Sequence, residues 1–520
     1  MGDLSEMKPP FPLNDLHEAF PVPKAFRENE PQHTGFMAPV RFEGSITDLE
    51  IIGDVPTEIS GTFYRVMPEP HYPSFIENDP WFNGDGVVSA FKIKDGHVDF
   101  KQAFVRTEKY VKEAEARRAL LGKYRNKYTD AIAFQVRSTA NTNIVYWNGK
   151  LLALKEDSPP YSMDPTTLKT IGLETFDGQL PALTFTAHPK FDPDTRDMVC
   201  FGYEAKGDGT PDICYYSIGP DGKFKETVWL TCPVVAMIHD FAVTKNYIVL
   251  PVVNQTCDVE RMKKGGQHWQ FDNDLPTYIG ILPRYGATGS DVKWFTAPHG
   301  FVGHVANAFE DEHGNIELSM AWSKQNVFFW WPDKDGRGPA PESISSDLLR
   351  WTIDPKATDL KLPAGEILAT GDLEFPKIDD RHVMSRHSKV FYSIFQPQLV
   401  DFPFVGPRMG GGFPPYNGFA RLDTKTGEVS RYFAGPRKFT QELVFIPRSH
   451  AGEEGDGWIL FLQNNFESMT SELAIVDTKD VSRTVALIKL PVRLRPGLHG
   501  NWVDDADVDG HPMRKAPTTS

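Results

Sequence analysis

Four of the 15 histidines lie in or directly beside apolar, strand-like segments. They are His188 after ALTFTA, His239 after VVAMI, His304 within HGFVGHVANAF and His499 within RPGLHGNW. A buried imidazole must satisfy two ring nitrogens, and a neutral one is a common metal ligand. Their separations of 51, 65 and 195 residues form no local motif such as HExxH. Each histidine alone is better explained as a core residue bonded to backbone, so a metal site requires a fold that brings distant strand ends together.

Short strand-like runs separated by glycine turn signals supply the elements that must position these histidines. Signals such as Asp-Gly and Asn-Gly between such runs indicate β-hairpins. They occur in the segments 93–100, 145–154, 205–218, 219–230, 311–322 and 422–434. Hairpins continue from about residue 60 to 490 without a linker, which favours one antiparallel domain over residues 1–520. Because a sandwich seldom needs so many hairpins, the predicted fold class is all-β, a β-propeller with irregular blades and no fixed WD or kelch period.

Two segments depart from this β pattern. Residues 107–128, TEKYVKEAEARRALLGKYRNKY, are rich in strong helix formers, with Glu113 and Arg117 four apart. They predict an inserted helix that caps one end of the propeller. Residues 1–44 are rich in proline and lack periodicity, which predicts an arm packed on the outside of the domain.

Composition excludes several classes of protein. The net charge is −15 and no block of basic residues occurs, which argues against a nucleic-acid surface and favours a small-molecule ligand. The four cysteines form no CxxC pair, as expected in a reducing compartment. The start has no signal-peptide pattern, Glu6 is incompatible with myristoylation, and no apolar run is long enough for a membrane span. These features predict a cytoplasmic location and no transmembrane segment, and they leave the oligomeric state open.

Five segments together resemble the carotenoid cleavage oxygenase family. They are residues 61–93, GTFYRVMPEPHYPSFIENDPWFNGDGVVSAFKI, followed in order by AHPKFDP, IHDFAVTKNYIVLP, GHVANAFED and GLHGNW, each of the last four with one of the histidines. The resemblance covers roughly residues 45 to 505. It implies a seven-bladed β-propeller with one non-haem Fe(II) per chain on its axis. The residues that match the four iron ligands are His188, His239, His304 and His499.

The resemblance also gives the histidines carboxylate partners. Four neutral imidazoles suit a first-row ion and, in a six-coordinate site, leave two positions for dioxygen or water. Carboxylates one shell out fix each ligand's tautomer by accepting its second N–H. The matching residues are Glu156 in LALKEDSPP, Glu374 in GDLEFPKID and Glu442 in KFTQELVF. Taken singly, each of the three would be interpreted as a surface carboxylate.

Two further residues favour a stilbene substrate. Lys155 and Tyr124 match the positions at which fungal and bacterial stilbene-cleaving family members hold the 4′-hydroxyl group. A free phenol has a pKa of about 10, and a nearby ammonium favours its ionised form. Glu374 matches a residue also associated with the phenol end, and Phe82 and Thr142 match pocket positions near the ring and the iron. Without the resemblance, Lys155 would be a solvated strand lysine and Tyr124 a packed tyrosine.

The implied reaction is dioxygen-dependent cleavage of the interphenyl Cα–Cβ double bond of a 4-hydroxy-trans-stilbene such as resveratrol or piceatannol, which yields two aromatic aldehydes. Two alternatives stay open at this point. The first is an apocarotenoid or carotenoid cleavage oxygenase with the same iron, and the second is a non-catalytic propeller that binds a ligand. One segment, YRVMPEP, lacks the Asn-Gly-Pro run that family members often show after the first arginine, which weakens the assignment to a subgroup.

Overall fold

The structure is a computed structural model that describes residues 19–412, 415–449 and 451–508. Within these residues the strands are, in chain order, β1 (Gly44–Ile46), β2 (Glu50–Gly53), β3 (Gly61–Glu69), β4 (Asp85–Lys94), β5 (His97–Phe104), β6 (Asn143–Trp147), β7 (Lys150–Leu154), β8 (Tyr161–Met163), β9 (Thr170–Leu173), β10 (Lys190–Phe191), β11 (Met198–Tyr203), β12 (Asp212–Ile218), β13 (Phe224–Thr231), β14 (Ala236–Met237), β15 (Ala242–Val243), β16 (Tyr247–Pro251), β17 (Val253–Cys257), β18 (Trp269–Phe271), β19 (Thr277–Pro283), β20 (Lys293–Ala297), β21 (Phe301–Glu310), β22 (Ile316–Ser323), β23 (Asp347–Ile353), β24 (Glu366–Ala369), β25 (Asp372–Lys377), β26 (Lys389–Phe395), β27 (Gly418–Asp423), β28 (Val429–Phe433), β29 (Lys438–Pro447), β30 (Gly457–Asn465), β31 (Thr470–Asp477), β32 (Thr484–Lys489) and β33 (Gly500–Asp504). The helices are α1 (Glu108–Ala116), α2 (Val259–Lys263), α3 (Phe402–Met409) and α4 (Asp505–Val508). None of the helices in the described ranges has the length and apolarity that crossing a membrane requires.

Seven sheets of four or five strands form the blades. Their hydrogen-bonded orders are β1-β5-β4-β3-β33, β6-β7-β8-β9, β10-β11-β12-β13, β15-β16-β19-β20, β21-β22-β23-β24, β25-β26-β27-β28 and β2-β32-β31-β30-β29, and a small sheet β14-β17-β18 accompanies the fourth blade. Edge strands of neighbouring blades contact each other, as β15 contacts β21 and β29 contacts β33. These strands therefore surround a common axis, and the predicted propeller has seven blades.

The two ends of the described chain close the ring by exchanging strands. The C-terminal β33 pairs with β3 and forms the inner edge of the first blade, from Gly61 opposite Asp504 to Arg65 opposite Gly500. The N-terminal β2 pairs with β32 at the outer edge of the last blade. Closure by strands from both ends removes exposed edges, which is the usual advantage of radial β architectures.

The predicted hairpins are present, and their turns explain why. Between β4 and β5, Asp95 and Gly96 have φ angles of 51° and 81°. Between β6 and β7, Asn148 and Gly149 have φ angles of 49° and 80°. Two successive residues with positive φ match the right-handed twist of the flanking strands, and Asp-Gly and Asn-Gly adopt this turn at low cost.

The predicted cap helix over residues 107–128 is wrong in its length, because helix α1 ends at Ala116. Arg117 adopts a left-handed conformation with φ 54° and its backbone N–H bonds to the Glu113 carbonyl. The buried Glu113 carboxylate then accepts the backbone N–H groups of Leu120 and Leu121 at 2.8 and 2.9 Å. This carboxylate satisfies amides that a longer helix would have paired internally, so residues 117–126 continue as an ordered loop.

Part of the predicted N-terminal arm lies outside the described residues, namely 1–18. Its remainder packs against the blades. Phe36 is fully buried and stacks edge-on against Phe466, with ring centroids 5.1 Å apart. Arg495 donates to the backbone carbonyl of Gln32 at 2.8 Å. These apolar and polar contacts hold the arm across the junction between the first and last blades.

Candidate metal centre

The four histidines lie at the inner edges of four different blades. His188, His239 and His499 come shortly before the edge strands β10, β15 and β33, and His304 lies inside β21. The register of β21 against β22 shifts on both sides of Val305. A bulge of this kind re-aims a side chain that a regular strand would direct elsewhere. The fold therefore directs all four imidazoles towards one point on the propeller axis.

The distances between the histidine Nε2 atoms fit a single metal ion. They are 3.3 Å from His188 to His239, 3.0 Å from His239 to His304 and 3.2 Å from His304 to His499. Four such ligand atoms, one from each ring, lie within 4.8 Å of one another. Adjacent nitrogens in an octahedral site at about 2.1 Å from the ion are separated by about 3.0 Å. The four-histidine group is thus able to bind a metal.

Three of the histidines donate their Nδ1–H to buried carboxylates. His239 donates to Glu156, His304 to Glu374 at 2.8 Å, and His499 to Glu442 at 2.9 Å. A proton at Nδ1 leaves the lone pair on Nε2. Without a cation, several lone pairs would face each other at about 3 Å, so the arrangement is complementary to a positive ion.

The electrostatic environment keeps the carboxylates ionised and favours the neutral form of two of the imidazoles, those of His188 and His499. Burial opposes ionisation of Glu442, but Lys377 at 3.0 Å and His499 outweigh it and lower its pKa to about 2. Burial also lowers the pKa of His499 to about 4 and that of His188 well below its usual value. For His239 burial acts downwards, but the Glu156 carboxylate reverses the direction and raises its pKa. Neutral imidazoles are the form that binds metals.

Lys155 and Tyr124, the predicted substrate anchor, are both buried and in contact. The Lys155 Nζ lies 4.5 Å from the centroid of the Tyr124 ring. It donates to Asn141 Oδ1 at 3.1 Å and to the Phe82 carbonyl at 3.4 Å. Both acceptors are neutral, and burial lowers the pKa of Lys155 to about 8. The next residue in the chain, Glu156, accepts the Nδ1–H of His239. Lys155 is therefore adjacent in sequence to a carboxylate that contacts the four-histidine group.

Of the other two predicted pocket residues, Phe82 lies beside Tyr124 and Thr142 beside His499. Phe82 packs near the Tyr124 ring with centroids 6.3 Å apart. The backbone carbonyl of Thr142 accepts the backbone N–H of His499 at 3.3 Å, so Thr142 borders the metal centre. The structure therefore brings all the predicted site residues into one region around the axis.

The sequence prediction missed an aromatic cluster around Phe82. Phe328, Trp330 and Trp331 lie with ring centroids 5.9, 5.5 and 6.1 Å from that of Phe82. The signal was present as four consecutive aromatic residues, FFWW, in an otherwise polar stretch. Phe375, whose ring centroid lies 4.9 Å from that of His304, was also missed, although it follows the predicted Glu374.

A cavity of about 330 Å³ reaches the four-histidine group. Lys155 and Tyr124 are not among the residues that line it. His188, His304 and His499 lie in its wall together with Lys190 and Lys377. Water and other small polar molecules therefore have a polar approach to the histidine group.

Comparison with known proteins agrees with the propeller fold and the four-histidine group described above. The sequence profile of the family described as retinal pigment epithelial membrane protein matches residues 37–504. The chain belongs to this family. It is an alkene-cleaving oxygenase, since the family cleaves double bonds in stilbenes and carotenoids. The resemblance to carotenoid cleavage oxygenases and the seven-bladed propeller predicted from it are thereby confirmed.

Three relatives of this oxygenase illustrate its range of similarity. Carotenoid cleavage oxygenase 1 of Neurospora crassa is 63% identical, with 97% of this chain and 96% of the relative covered. Resveratrol cleavage oxygenase 1 of Aspergillus fumigatus is 58% identical over 92% of this chain and 97% of the relative. The crystal structure of Pseudomonas brassicacearum lignostilbene dioxygenase superposes with a TM-score of 0.89 at 41% identity, with 92% and 99% of the two chains covered.

A glycine beside the metal centre of this oxygenase gives a first testable prediction. A Cβ at Gly303 would fall far inside van der Waals distance of Glu374 Oε1. Glu374 must then move off the ring of His304, so we expect Gly303→Ala to weaken Co(II) binding by the apoprotein about tenfold. A visible-absorption titration measures this. Gly406→Ala is the matched control, because a Cβ at Gly406 in α3 meets nothing within 4 Å. Equal Co(II) affinity of the two variants would contradict the prediction.

Proposed function

We propose that this oxygenase is a non-haem Fe(II) dioxygenase that cleaves the interphenyl Cα–Cβ double bond of 4-hydroxy-trans-stilbenes such as resveratrol and piceatannol. One stilbene and one O2 give two aromatic aldehydes, and each aldehyde takes one oxygen atom. For resveratrol the products are 4-hydroxybenzaldehyde and 3,5-dihydroxybenzaldehyde. The observation that carries the proposal is the Lys155 ammonium, which is buried next to Tyr124 with only neutral hydrogen-bond acceptors.

The proposed cofactor is one Fe(II) per chain, held by His188, His239, His304 and His499. Bound there, Fe(II) supplies the binding and activation of dioxygen. Four neutral imidazoles suit a borderline first-row ion, and the Glu156, Glu374 and Glu442 carboxylates offset its charge from one shell out. The family membership and the histidine group support a metal, and the choice of iron belongs to this proposal.

Lys155 and Tyr124 are proposed to hold the 4′-hydroxyl group of the substrate. A buried ammonium without an anionic partner is costly, and a phenolate would compensate its charge. Lys155 thereby stabilises the ionised phenol, and the phenolate donates electron density through the conjugated system to the central double bond. Phe82 and Thr142 are proposed to contact the ring and the region next to the metal, and Glu374 to contribute at the phenol end.

A carotenoid or apocarotenoid substrate is the second candidate, because the relative that is 63% identical is named carotenoid cleavage oxygenase 1. An isoprenoid chain offers no acidic hydroxyl group to Lys155, so its binding would leave the buried ammonium without an anionic hydrogen-bond partner. The two candidates share the metal centre and differ at the anchor.

The experiment that separates them is Fe(II) reconstitution without oxygen, followed by exposure to air with either resveratrol or an apocarotenal. Chromatography of the products gives the result. Two benzaldehydes from resveratrol, each labelled once when ¹⁸O2 is used, support the proposal. If the iron-loaded protein leaves resveratrol intact and cleaves the apocarotenal, the stilbene assignment is wrong and the metal centre stands.

The pKa of Lys155 leads to a prediction for the pH dependence of the reaction. Burial lowers its pKa to about 8, with Arg125 and Arg137 acting in the same direction and Asp157 and Glu156 against it. Burial raises the pKa of Tyr124 well above 10, so Tyr124 keeps its proton. A substrate phenol with a pKa of about 10 then shares a single proton with Lys155 between about pH 8 and 10.

This one-proton state contains the ammonium–phenolate pair, so kcat/KM for resveratrol should rise up to about pH 8 and fall above about pH 10. Initial rates measured across this range give the profile. Lys155→Met should lose the rising limb. A wild-type kcat/KM that stays constant from about pH 7 to 9 would exclude Lys155 as the partner of the phenol.

Two further parts of the proposal concern organisation and location. Residues 1–520 are proposed to act as one propeller domain, with the segment that follows α1 over one face. The four cysteines are free thiols, two of them on strands of the third blade, which supports a reducing, cytoplasmic environment. The partners proposed are the phenolic stilbene and O2.

A further inference from the structure

A buried polar network extends from Glu156 through Tyr203 and Arg125 to Glu204. Tyr203 donates its hydroxyl proton to Glu156 Oε2 at 2.5 Å. Arg125 donates from Nη1 to the Tyr203 hydroxyl oxygen at 2.6 Å and from Nη2 to Glu204 Oε2 at 2.6 Å. Since Glu156 also accepts the Nδ1–H of His239, the network reaches a metal ligand.

The hydrogen bonds from Arg125 to Tyr203 and from Tyr203 to Glu156 can run in only one direction. Arginine can only donate, so the Tyr203 proton must point to Glu156. Burial acts against ionisation of Glu204, but His268 and Arg125 outweigh it and lower its pKa to about 2. His268 faces this carboxylate through Nε2 and the Arg125 carbonyl through Nδ1, both at 2.9 Å. Arg125 and His268 thus both contact the Glu204 carboxylate at the far end of the network.

Glu156 differs from Glu374 and Glu442 in the group that holds its second carboxylate oxygen, although Glu442 also pairs with Lys377 through its first oxygen. Glu374 accepts the backbone N–H of His304 at 3.1 Å, and Glu442 accepts that of Gly500 at 2.9 Å. The corresponding second oxygen of Glu156 accepts the Tyr203 hydroxyl instead. The orientation of Glu156 is thus set by side chains that can be changed without altering the backbone.

The same network is joined to the phenol anchor through the chain itself. Arg125 follows Tyr124, and Glu156 follows Lys155. In each dipeptide the first side chain belongs to the anchor and the second belongs to the network. Arg125 Nη1 also lies 3.8 Å from Glu156 Oε2. Arg125 has a left-handed φ of 52°, which directs consecutive side chains to different surroundings.

We infer that Arg125 and Tyr203 are positioning residues that lock Glu156, and through it His239, at a fixed place relative to the Tyr124–Lys155 anchor. The inference rests on the proposed function for the role of that anchor. The link to His239 stands on the hydrogen bonds alone. In this arrangement the network fixes both the metal ligand and the distance from the held phenol to the metal.

Tyr203→Phe tests the inference because it removes one hydroxyl group and keeps the ring. We expect the dissociation constant of Co(II) from the apoprotein to rise about tenfold and kcat of the iron-loaded protein on resveratrol to fall about tenfold, with KM changed less than about twofold. Tyr215→Phe is the matched control. Tyr215 is fully buried in the same blade, and its hydroxyl donates to the Arg284 carbonyl at 2.9 Å. Both variants should lose similar thermal stability, but Tyr215→Phe should keep wild-type Co(II) affinity.

Arg125→Lys and Arg125→Met provide an independent measurement. The lysine variant keeps a charged donor and should recover part of the Co(II) affinity that the methionine variant loses. If Arg125→Met fails to fold, Tyr203→Phe decides. Equal Co(II) affinity and equal kcat in Tyr203→Phe and Tyr215→Phe would overturn the inference. If wild-type protein does not cleave resveratrol, the proposed function fails, whereas the Co(II) titrations still decide the link to the metal centre.

Discussion

Replacing Lys155 with methionine is expected to lower kcat/KM for resveratrol by about 100- to 1,000-fold, the usual cost of removing a preorganised charged donor from an active site. Methionine retains much of the volume of the side chain and removes the ammonium. Because Lys155 touches Asn141 and the Phe82 carbonyl and not the histidines, metal content should be unchanged. Steady-state rates with iron analysis on the same sample give both quantities.

Lys150→Met is the matched control for this prediction. Lys150 is the first residue of strand β7, which ends just before Lys155, and it pairs with Glu174 at 3.0 Å. Its loss should leave kcat/KM near the wild-type value. A 4′-methoxy analogue of resveratrol should be a poor substrate for wild type and should be affected little by Lys155→Met. If Lys155→Met cleaves resveratrol at the wild-type rate, the phenol anchor is refuted.

Replacing His239 with alanine is expected to reduce stoichiometric metal binding and to lower the rate on every alkene substrate by at least about a thousandfold. His239 contributes the central Nε2 atom, 3.3 Å from that of His188 and 3.0 Å from that of His304. Its removal also leaves the Glu156 carboxylate without the imidazole N–H. Elemental analysis and product chromatography measure the two effects.

His387→Gln provides the control, because His387 is a buried histidine bonded to Asn307 and does not belong to the four-histidine group. It should retain metal and activity. Treatment of the wild-type protein with a chelator should reproduce the His239→Ala result, and added Fe(II) should restore activity only to the chelated wild type. Retention of a full equivalent of metal by His239→Ala would show that the four-histidine group is not the metal centre.

Local chemistry in the sequence was sufficient to predict the strands and their turns. Asp95-Gly96 and Asn148-Gly149 form the predicted hairpin turns because a pair of residues with positive φ is needed there and glycine supplies the second. The histidine contexts were recognisable in the same way, since each is a short apolar segment with a fixed neighbourhood. Their assignment to one site came from the family resemblance and not from spacing.

Helix α1 shows where local propensity failed. Residues 117–128 have helical composition, but the Glu113 carboxylate bonds the Leu120 and Leu121 amides after the chain has turned at Arg117. This carboxylate also pairs with Lys109 at 2.9 Å, and Lys109 pairs with Asp85 at 2.7 Å. Buried ion pairs thus link the end of the helix to Asp85 of strand β4, and composition carries no information about such a partner.

The sequence by itself determined which residues form the hairpin turns, the succession of strands and turns along the chain, and the residue types available for a metal centre. The tertiary structure decided how they meet. Register shifts in β21, β25 and β29 lie beside His304, Glu374 and Glu442, and they arise from pairing between strands. Ring closure by β2 and β33 joins segments more than 400 residues apart. Bulges, closure and the Arg125–Tyr203–Glu156 network all depend on contacts between distant segments, whose geometry is fixed only when the blades pack around the axis.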